Sequence, residues 1–300
     1  MVDEPLIRLR TYAKINLFLG VQPGRADGYH VIDTIFHAID LSDDMELRPR
    51  PDAEIDVRMA LATGVQGAMP VREDNLVFRA AMLLARHAGV EAGARIDVTK
   101  RVPIGAGLAG GSANAAGALI GLNELWAAGL NPQDLQNLAQ ELGSDVPFCL
   151  VGGTARGTGR GEVLAPLTVR AELWFVLGLS RESLATTDVY RTWDELPTRQ
   201  AKSAAAMAEA LGAGDAKEIG LLLHNDLEAA AFRLRPELVE KKELLLQTGA
   251  LGACLSGSGP TLVALAADEP HAREIAARVA SGFDRAAVAS SRAAGVQRLD

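Results

Sequence analysis

Four glycines within seven positions, Gly105, Gly107, Gly110 and Gly111, lead into a run of small residues that reads as a helix to about Trp126. Bare backbone N–H groups at a helix N-terminus form an anion site, and glycine lets a polyphosphate approach them closely. The stretch from Pro103 to Ala113 (Pro-Ile-Gly-Ala-Gly-Leu-Ala-Gly-Gly-Ser-Ala) therefore points to a nucleotide-handling enzyme. Gly105, Gly107 and Gly110 spell the G-x-G-x-x-G dinucleotide fingerprint, which also needs a strand ending at the first glycine and an acidic residue about twenty positions on. Pro103 interrupts that approach, and Gly129 to Asp134 reads as a loop, which argues against a dehydrogenase. The same glycines approximate a P-loop, but Gly111 stands where that motif carries lysine. Such a loop must borrow its positive charge from elsewhere.

Direct phosphoryl transfer needs a polyphosphate cradle, charge neutralisation and a group that orients or deprotonates the acceptor hydroxyl. Asp145, in Gly143-Ser144-Asp145-Val146-Pro147, is the candidate carboxylate. An Asp before a Pro is also a common helix start, and the two roles can coexist. Lys14 is a candidate cation or an ordinary strand lysine, and Lys100 and Arg101 are phosphate neutralisers or solvated strand-end charges. Ser112 offers a hydroxyl to a phosphate or to Mg²⁺, or caps the helix. Tyr29 and His30 could stack on and hydrogen-bond a base, although neither requires a ligand.

These residues need elements to hold them. Between Ile7 and Leu19 the odd positions are mostly apolar, the period-two signature of a half-buried strand. Lys14 and Asn16 then share one face, about 7 Å apart. Strands are predicted at 31–41, 45–48, 54–59, 94–99, 173–179, 250–255, 261–266 and 285–290. Helices are predicted at 75–87, 133–142, 202–211, 216–230, 236–247 and 271–280. A short helical turn should begin at Asp145, a hairpin is expected near Gly152 to Gly159, and Ser256 to Pro260 reads as a glycine turn. This order suggests an antiparallel sheet with helices on one face, an α+β plan.

With 300 residues, 48% of them hydrophobic, the chain can bury a large core spread over about two domains. Its net charge of -8 argues against general affinity for nucleic acid or an anionic membrane. The acidic N-terminus does not resemble a signal peptide, and no apolar run approaches the roughly 20 residues of a membrane span. Two cysteines, Cys149 and Cys254, form neither a disulfide framework nor a metal motif, so a cytoplasmic location is expected. The five histidines include no metal-binding pair at helical spacing.

Taken together, Ala13-Lys14-Ile15-Asn16-Leu17, Arg25-Ala26-Asp27-Gly28-Tyr29-His30, Ala106 to Ala116, Gly143 to Pro147, Asn225 to Glu228 and Leu255 to Thr261 resemble the motifs of the galactokinase, homoserine kinase, mevalonate kinase and phosphomevalonate kinase superfamily. The resemblance covers nearly the whole chain, and Asp-Gly-Tyr-His points to the branch that acts on a cytidine diphosphate-linked methylerythritol. It implies a two-domain α+β fold. An ATP-binding domain over 1–165 would be ribosomal-protein-S5-domain-2-like, a ferredoxin-like substrate domain would span 166–300, and the active site would lie in the cleft between them. Lys14 and Asp145 would be the catalytic pair. Asn75, Lys100, Pro103, Gly105, Ala106, Gly107, Leu108, Ala109, Gly110, Gly111, Ser112 and Ala113 would hold ATP, with Ser112 the hydroxyl nearest Mg²⁺. Asn16, Tyr29, His30, Thr186 and Tyr190 would hold the substrate, His30 reading the cytosine edge between the two tyrosine rings. The partner would be a small molecule, with no nucleic acid or membrane involved, and the chain would be a monomer or homodimer. Tyr12, Ala109 and Ala113 depart from the commonest pattern, the last removing a second loop serine. Rival readings are a kinase for another alcohol, such as mevalonate or homoserine, and a non-catalytic nucleotide-binding module.

Overall fold

The computed structural model describes residues 5–24, 29–65, 67–197, 202–292 and 294–300, so Arg25 to Gly28 of the Arg-Ala-Asp-Gly-Tyr-His segment lie outside the described residues. The first half runs β1 (Ile7–Gly24), β2 (His30–Arg50), β3 (Ile55–Leu61), α1 (Leu76–Ala88), β4 (Gly93–Lys100), α2 (Gly110–Leu125), α3 (Pro132–Leu142), α4 (Val146–Val151), β5 (Thr154–Thr158) and β6 (Val163–Pro166). There follow β7 (Trp174–Leu179), α5 (Thr186–Asp194), α6 (Ala205–Ala213), α7 (Ala216–Leu222), β8 (His224–Asn225), α8 (Glu228–Leu234) and α9 (Glu237–Gln247). The chain ends with β9 (Gly252–Leu255), β10 (Leu262–Ala266), α10 (Glu269–Val279), β11 (Arg285–Ser290) and β12 (Val296–Leu299).

One sheet is ordered β12-β1-β2-β4-β3, with β5 and β6 extending from β2 and β8 beside β1. The second is ordered β11-β7-β10-β9, all antiparallel. By chain position within that sheet this is fourth, first, third, second. The first sheet is not purely antiparallel as expected: β3 runs parallel to β4, and β8 parallel to β1.

Helix α2 lies directly on β1 and β2. A Cβ at Gly117 would fall 2.7 Å from Met45 Sδ, and one at Gly121 2.7 Å from Leu47 Cδ2, so the glycines permit the close approach that seats the helix N-terminus. Ile7, Leu9, Met45 and Leu47 join this core with α1 and α2. A register shift between Tyr12 and Lys14 then turns β1, as bulges do. Beyond it Ala13, Ile15 and Leu17 pack with Phe175, Leu177, Val263 and Leu265 of the second sheet. The even positions are covered too, so β1 is buried on both faces from Thr11 to Val21, and Lys14 and Asn16 are not on a solvated face.

Two of the predicted elements need correction, and two elements were missed. The strands at 31–41 and 45–48 are one continuous β2. The helix expected over 216–230 is broken by β8, because Asn225 turns inward and donates to Leu255 O (2.8 Å) and Gly257 O (2.7 Å). Helix α5 and strand β12 were not foreseen. The latter returns the C-terminus to β1.

His37 of β2 also ties the two sheets together. Its ring nitrogens meet Thr154 Oγ1 (2.7 Å) and Ser291 Oγ (2.9 Å), and its ring packs edge-on against Phe175. Burial lowers its pKa from 6.5 to about 4. The unfolded chain therefore binds the proton more readily, and stability present above pH 6.5 is lost as pH falls toward 4. Denaturant midpoints should decline over this window by the equivalent of about 3 kcal/mol, and His37→Gln should flatten that part of the profile.

Candidate active site

The glycine loop lies between β4 and α2. Gly105 and Gly107 adopt φ of 68° and 77°, and Ala109, the residue before the helix, adopts φ 54°. An alanine in that left-handed region is disfavoured by roughly 1–2 kcal/mol, which is the physical reason a glycine would sit there more easily. Helix α2 has no side-chain cap and no acidic residue in its first turn, so nothing of its own competes for its leading N–H groups. Gly107 is compelled by a second contact: a Cβ there would lie 2.3 Å from Ser256 O of the other glycine turn. Ser256 Oγ in turn donates to Gly107 O (3.0 Å), locking the two loops together. Thr186 Oγ1 and Ser258 Oγ are 3.0 Å apart beside them.

These loops border a cavity of about 870 Å³. It is lined by Pro103, Gly105, Ala106, Gly107, Ala109, Gly110, Gly111 and Ser112, and also by Asn75, Lys14, Asn16, Asp145, Tyr29, His30, Thr186 and Tyr190. Of the expected nucleotide residues, Leu108 and Ala113 turn the other way, into the core. Leu108 contributes its carbonyl, which accepts from Lys14 N (3.1 Å). Asn75 caps α1, accepting from Val77 N (2.9 Å).

At the cavity floor Lys14 Nζ lies 3.4 Å from Asp145 Oδ2. Lys14 also donates to Asn16 Oδ1 (2.8 Å), Asn16 Nδ2 donates to Thr34 Oγ1 (2.8 Å), and Thr34 Oγ1 donates to Phe18 O (2.6 Å). This chain fixes the amide of Asn16 with its oxygen toward the ammonium. Asp145 occupies the N-cap position of α4 but makes no side-chain cap hydrogen bond. Of its two possible roles, the carboxylate is thus free of helix capping and faces the lysine.

Lys100 borders the same cavity but is already partnered. It is almost completely buried, and its ammonium is held by the carboxylate of Asp43 and by Asn114 Oδ1 (2.9 Å). Its charge is balanced before any phosphate arrives. Burial lowers its pKa and the Asp43 carboxylate opposes that effect. Arg101 pairs with Asp44 (2.8 Å) at the surface.

The far wall is aromatic. Tyr29 is half exposed, with the Arg160 guanidinium 4.9 Å from its ring centroid. The His30 ring lies 4.8 Å from Tyr190, and His30 Nε2 is 2.7 Å from Asp194 Oδ1. Burial, with the charge of Asp145 adding to it, pushes the Tyr190 phenol up, so it stays protonated at neutral pH. Sequence reasoning missed Asp43, Asn114 and Thr34, which buttress the site, and Asp194, which touches His30. Only the acidic residue at the end of an unrecognised helix could have flagged the last.

Among the described residues no cluster of three or more His, Cys, Asp or Glu side chains could hold a metal, and no helix is long and apolar enough to cross a membrane.

A buried lysine beside a part-exposed Asp145, beneath two interlocked glycine loops, suits a small-molecule kinase, and comparison with known proteins gives that class. Residues 75–153 match the GHMP kinases N terminal domain and 207–285 match the GHMP kinases C terminal domain. The chain belongs to the GHMP kinases. It is 45% identical over 272 residues to 4-diphosphocytidyl-2-C-methyl-D-erythritol kinase from Nocardioides sp., covering 90% of this chain and 91% of that one. It is 44% identical to the enzyme of the same name from Thermobifida fusca, over 92% of each chain. A crystal structure of 4-(cytidine 5'-diphospho)-2C-methyl-D-erythritol kinase superposes with a TM-score of 0.78 at 34% identity, covering 94% of this chain and 98% of the other. A homoserine kinase from Cytophaga hutchinsonii shares the fold, with a TM-score of 0.77 at 23% identity over 100% of this chain and 99% of its own.

Proposed function

We infer that this chain is an ATP-dependent kinase that transfers the γ-phosphoryl group to the 2-hydroxyl of 4-diphosphocytidyl-2-C-methyl-D-erythritol, giving the 2-phosphate and ADP, in the non-mevalonate route to isoprenoid precursors. The observation that carries this reading is the position of the Lys14–Asp145 pair, in one cavity with the uncapped α2 N-terminus and the Tyr29, His30 and Tyr190 cluster. One side suits a triphosphate and the other a pyrimidine, so the acceptor hydroxyl is brought to the pair between them.

In this reading the leading N–H groups of α2 and the backbone of Gly105 to Gly111 hold the ATP phosphates. Asp145 accepts or orients the proton of the hydroxyl, whose oxygen forms the new bond to the γ-phosphorus as the bridge to the β-phosphate breaks and ADP leaves. Lys14, kept in place by Asn16, lies where it steadies the hydroxyl and the charge on the transferring group. A Mg²⁺ ion fits a site with one hydroxyl, Ser112, and few protein carboxylates, since that ion is held largely by phosphate oxygens and water. When bound it neutralises polyphosphate charge. In this reading the ATP-binding domain is 1–165 and the substrate-binding domain 166–300, with β12 crossing back into the sheet of the first. The enzyme acts in the cytoplasm as a monomer or homodimer.

ADP release with Mg²⁺-ATP and the cytidine substrate, beside mevalonate and homoserine, tests the assignment. Turnover confined to the cytidine compound supports it. Turnover with a comparator alone overturns the substrate, and ATP binding without turnover would leave a non-catalytic module.

Stacking on an aromatic ring contributes roughly 1–3 kcal/mol per base. Tyr29→Ala is therefore expected to raise KM for the cytidine substrate by about tenfold while leaving KM for ATP nearly unchanged. A change confined to ATP would place Tyr29 at the other end of the cavity.

A further inference from the structure

Among the described residues, the ring and hydrogen-bond partners of the His30 side chain all come from one helix. Tyr190, Trp193 and Asp194 stand at i, i+3 and i+4 of α5 and so share a face. Tyr190 lies against the imidazole face at 4.8 Å, and Trp193 meets it edge-on at 5.4 Å and 90°. Asp194 Oδ1 takes Nε2 at 2.7 Å. The ring is 8% exposed whereas Asp194 is 51% exposed, so the imidazole is clamped and the carboxylate reaches it from the rim. Among the described residues Nδ1 has no hydrogen-bond partner. It is not sealed in the interior, and His30 lines the cavity.

A carboxylate accepts hydrogen bonds and cannot donate them when ionised, so a neutral imidazole bound to it must carry its proton on Nε2. Nδ1 is then obliged to be an acceptor. We propose that Asp194 is a positioning residue that determines base specificity: by holding His30 in the Nε2–H tautomer, it presents a lone pair at Nδ1 that accepts from the exocyclic amino group of cytosine. Uracil offers an oxygen at the same place, which meets that lone pair with no proton between them. The inference rests on the cytidine reading above and assigns its selectivity to a residue that makes no contact with the base. Unlike a merely structural ion pair, this arrangement makes discrimination, and not only affinity, depend on Asp194.

The test compares kcat/KM for the cytidine substrate with that for its uridine analogue in the wild type, Asp194→Asn and Asp194→Ala. Asp194→Ala is expected to shrink the cytidine-to-uridine ratio by about tenfold or more, through KM, with KM for ATP unmoved. Asp194→Asn should fall between, because its amide can accept from Nε2–H or donate to a bare Nε2. Nitrogen-15 NMR of histidine-labelled protein supplies a readout free of turnover: the His30 proton should reside on Nε2 in the wild type and be shared between nitrogens in Asp194→Ala. A cytidine preference that survives Asp194→Ala unchanged, or a wild-type proton on Nδ1, overturns the role of Asp194 alone. A wild type that uses both bases equally overturns the cytidine reading itself.

Discussion

Asp145→Asn is expected to lower kcat by roughly 10²–10⁴, the usual worth of a positioned acid or base, with KM for ATP little changed. The structure makes this substitution a clean one. The Asp145 side chain caps no N–H of α4, while its backbone carbonyl still accepts from Cys149 N (3.1 Å), so the helix loses nothing on losing the charge. Asparagine keeps the shape, and Lys14 retains Asn16 Oδ1 as a partner. What disappears is the carboxylate 3.4 Å from the ammonium, the group we propose takes or steers the hydroxyl proton. Phosphoryl transfer through a loose transition state asks little of a base. A loss near the lower end would therefore mark Asp145 as an orienting group, and a loss near the upper end as a proton acceptor. Single-turnover measurement of ADP formation separates this from slow product release. Turnover close to that of the wild type would remove Asp145 from the reaction.

The parts of this site that were legible in the sequence are those whose chemistry is dense along the chain. The glycines of the phosphate loop, with the alanine-rich run behind them, specify a loop and a tightly packed helix by composition alone. Asp145-Val146-Pro147 marks a helix start whatever else the carboxylate does. Helix α5 was not legible because Thr186, Thr187, Val189 and Thr192 are poor helix formers, and tertiary packing holds the segment helical. Without that helix Asp194 could not be brought to His30, which lies 164 residues away in the chain. The burial of Lys14 was hidden for a related reason. Alternation along β1 predicts one wet face, and that even face is closed by Asp145, Phe36 and the glycine loop, whose Leu108 O accepts from Lys14 N.

The burial of Lys100 was hidden because its partner carries no local signal. Asp43 sits in Asp40-Leu41-Ser42-Asp43-Asp44, which looks like a solvated acidic strand edge, and the pairing of β2 with β4 brings it to a lysine 57 positions away. The helix adds the third member: Asn114 of α2 donates to Asp43 Oδ2 (3.0 Å) and to Thr11 Oγ1 (2.9 Å). The network therefore joins β1, β2, β4 and α2 at the point where the glycine loop begins. Such a network pins the strand end and the helix between which the glycine loop runs.

Asp43→Ala should accordingly destabilise the fold by about 3–5 kcal/mol, the usual consequence of removing one member of a buried ion pair. Asp43 is fully buried and Lys100 nearly so, and the same carboxylate accepts from the backbone N–H groups of Arg101 (2.6 Å) and Val102 (2.9 Å). Alanine would leave an unpaired ammonium and two unsatisfied donors in the interior at the entrance to the loop. KM for ATP should rise with the loss of stability, because the residues that enter Pro103 to Ala109 are no longer pinned. The pH dependence identifies the cause. Burial already lowers the Lys100 pKa, and without Asp43 nothing in the pair opposes that effect. A lysine whose folded pKa lies below its unfolded value contributes stability that returns as pH rises, so the deficit of Asp43→Ala should narrow toward alkaline pH. Replacing both residues, as Asp43→Ala with Lys100→Met, removes the buried charge and should recover a large part of the loss in urea denaturation. A single variant with wild-type stability, or a deficit that neither alkaline pH nor the second substitution reduces, would show that the pair does not hold the loop in place.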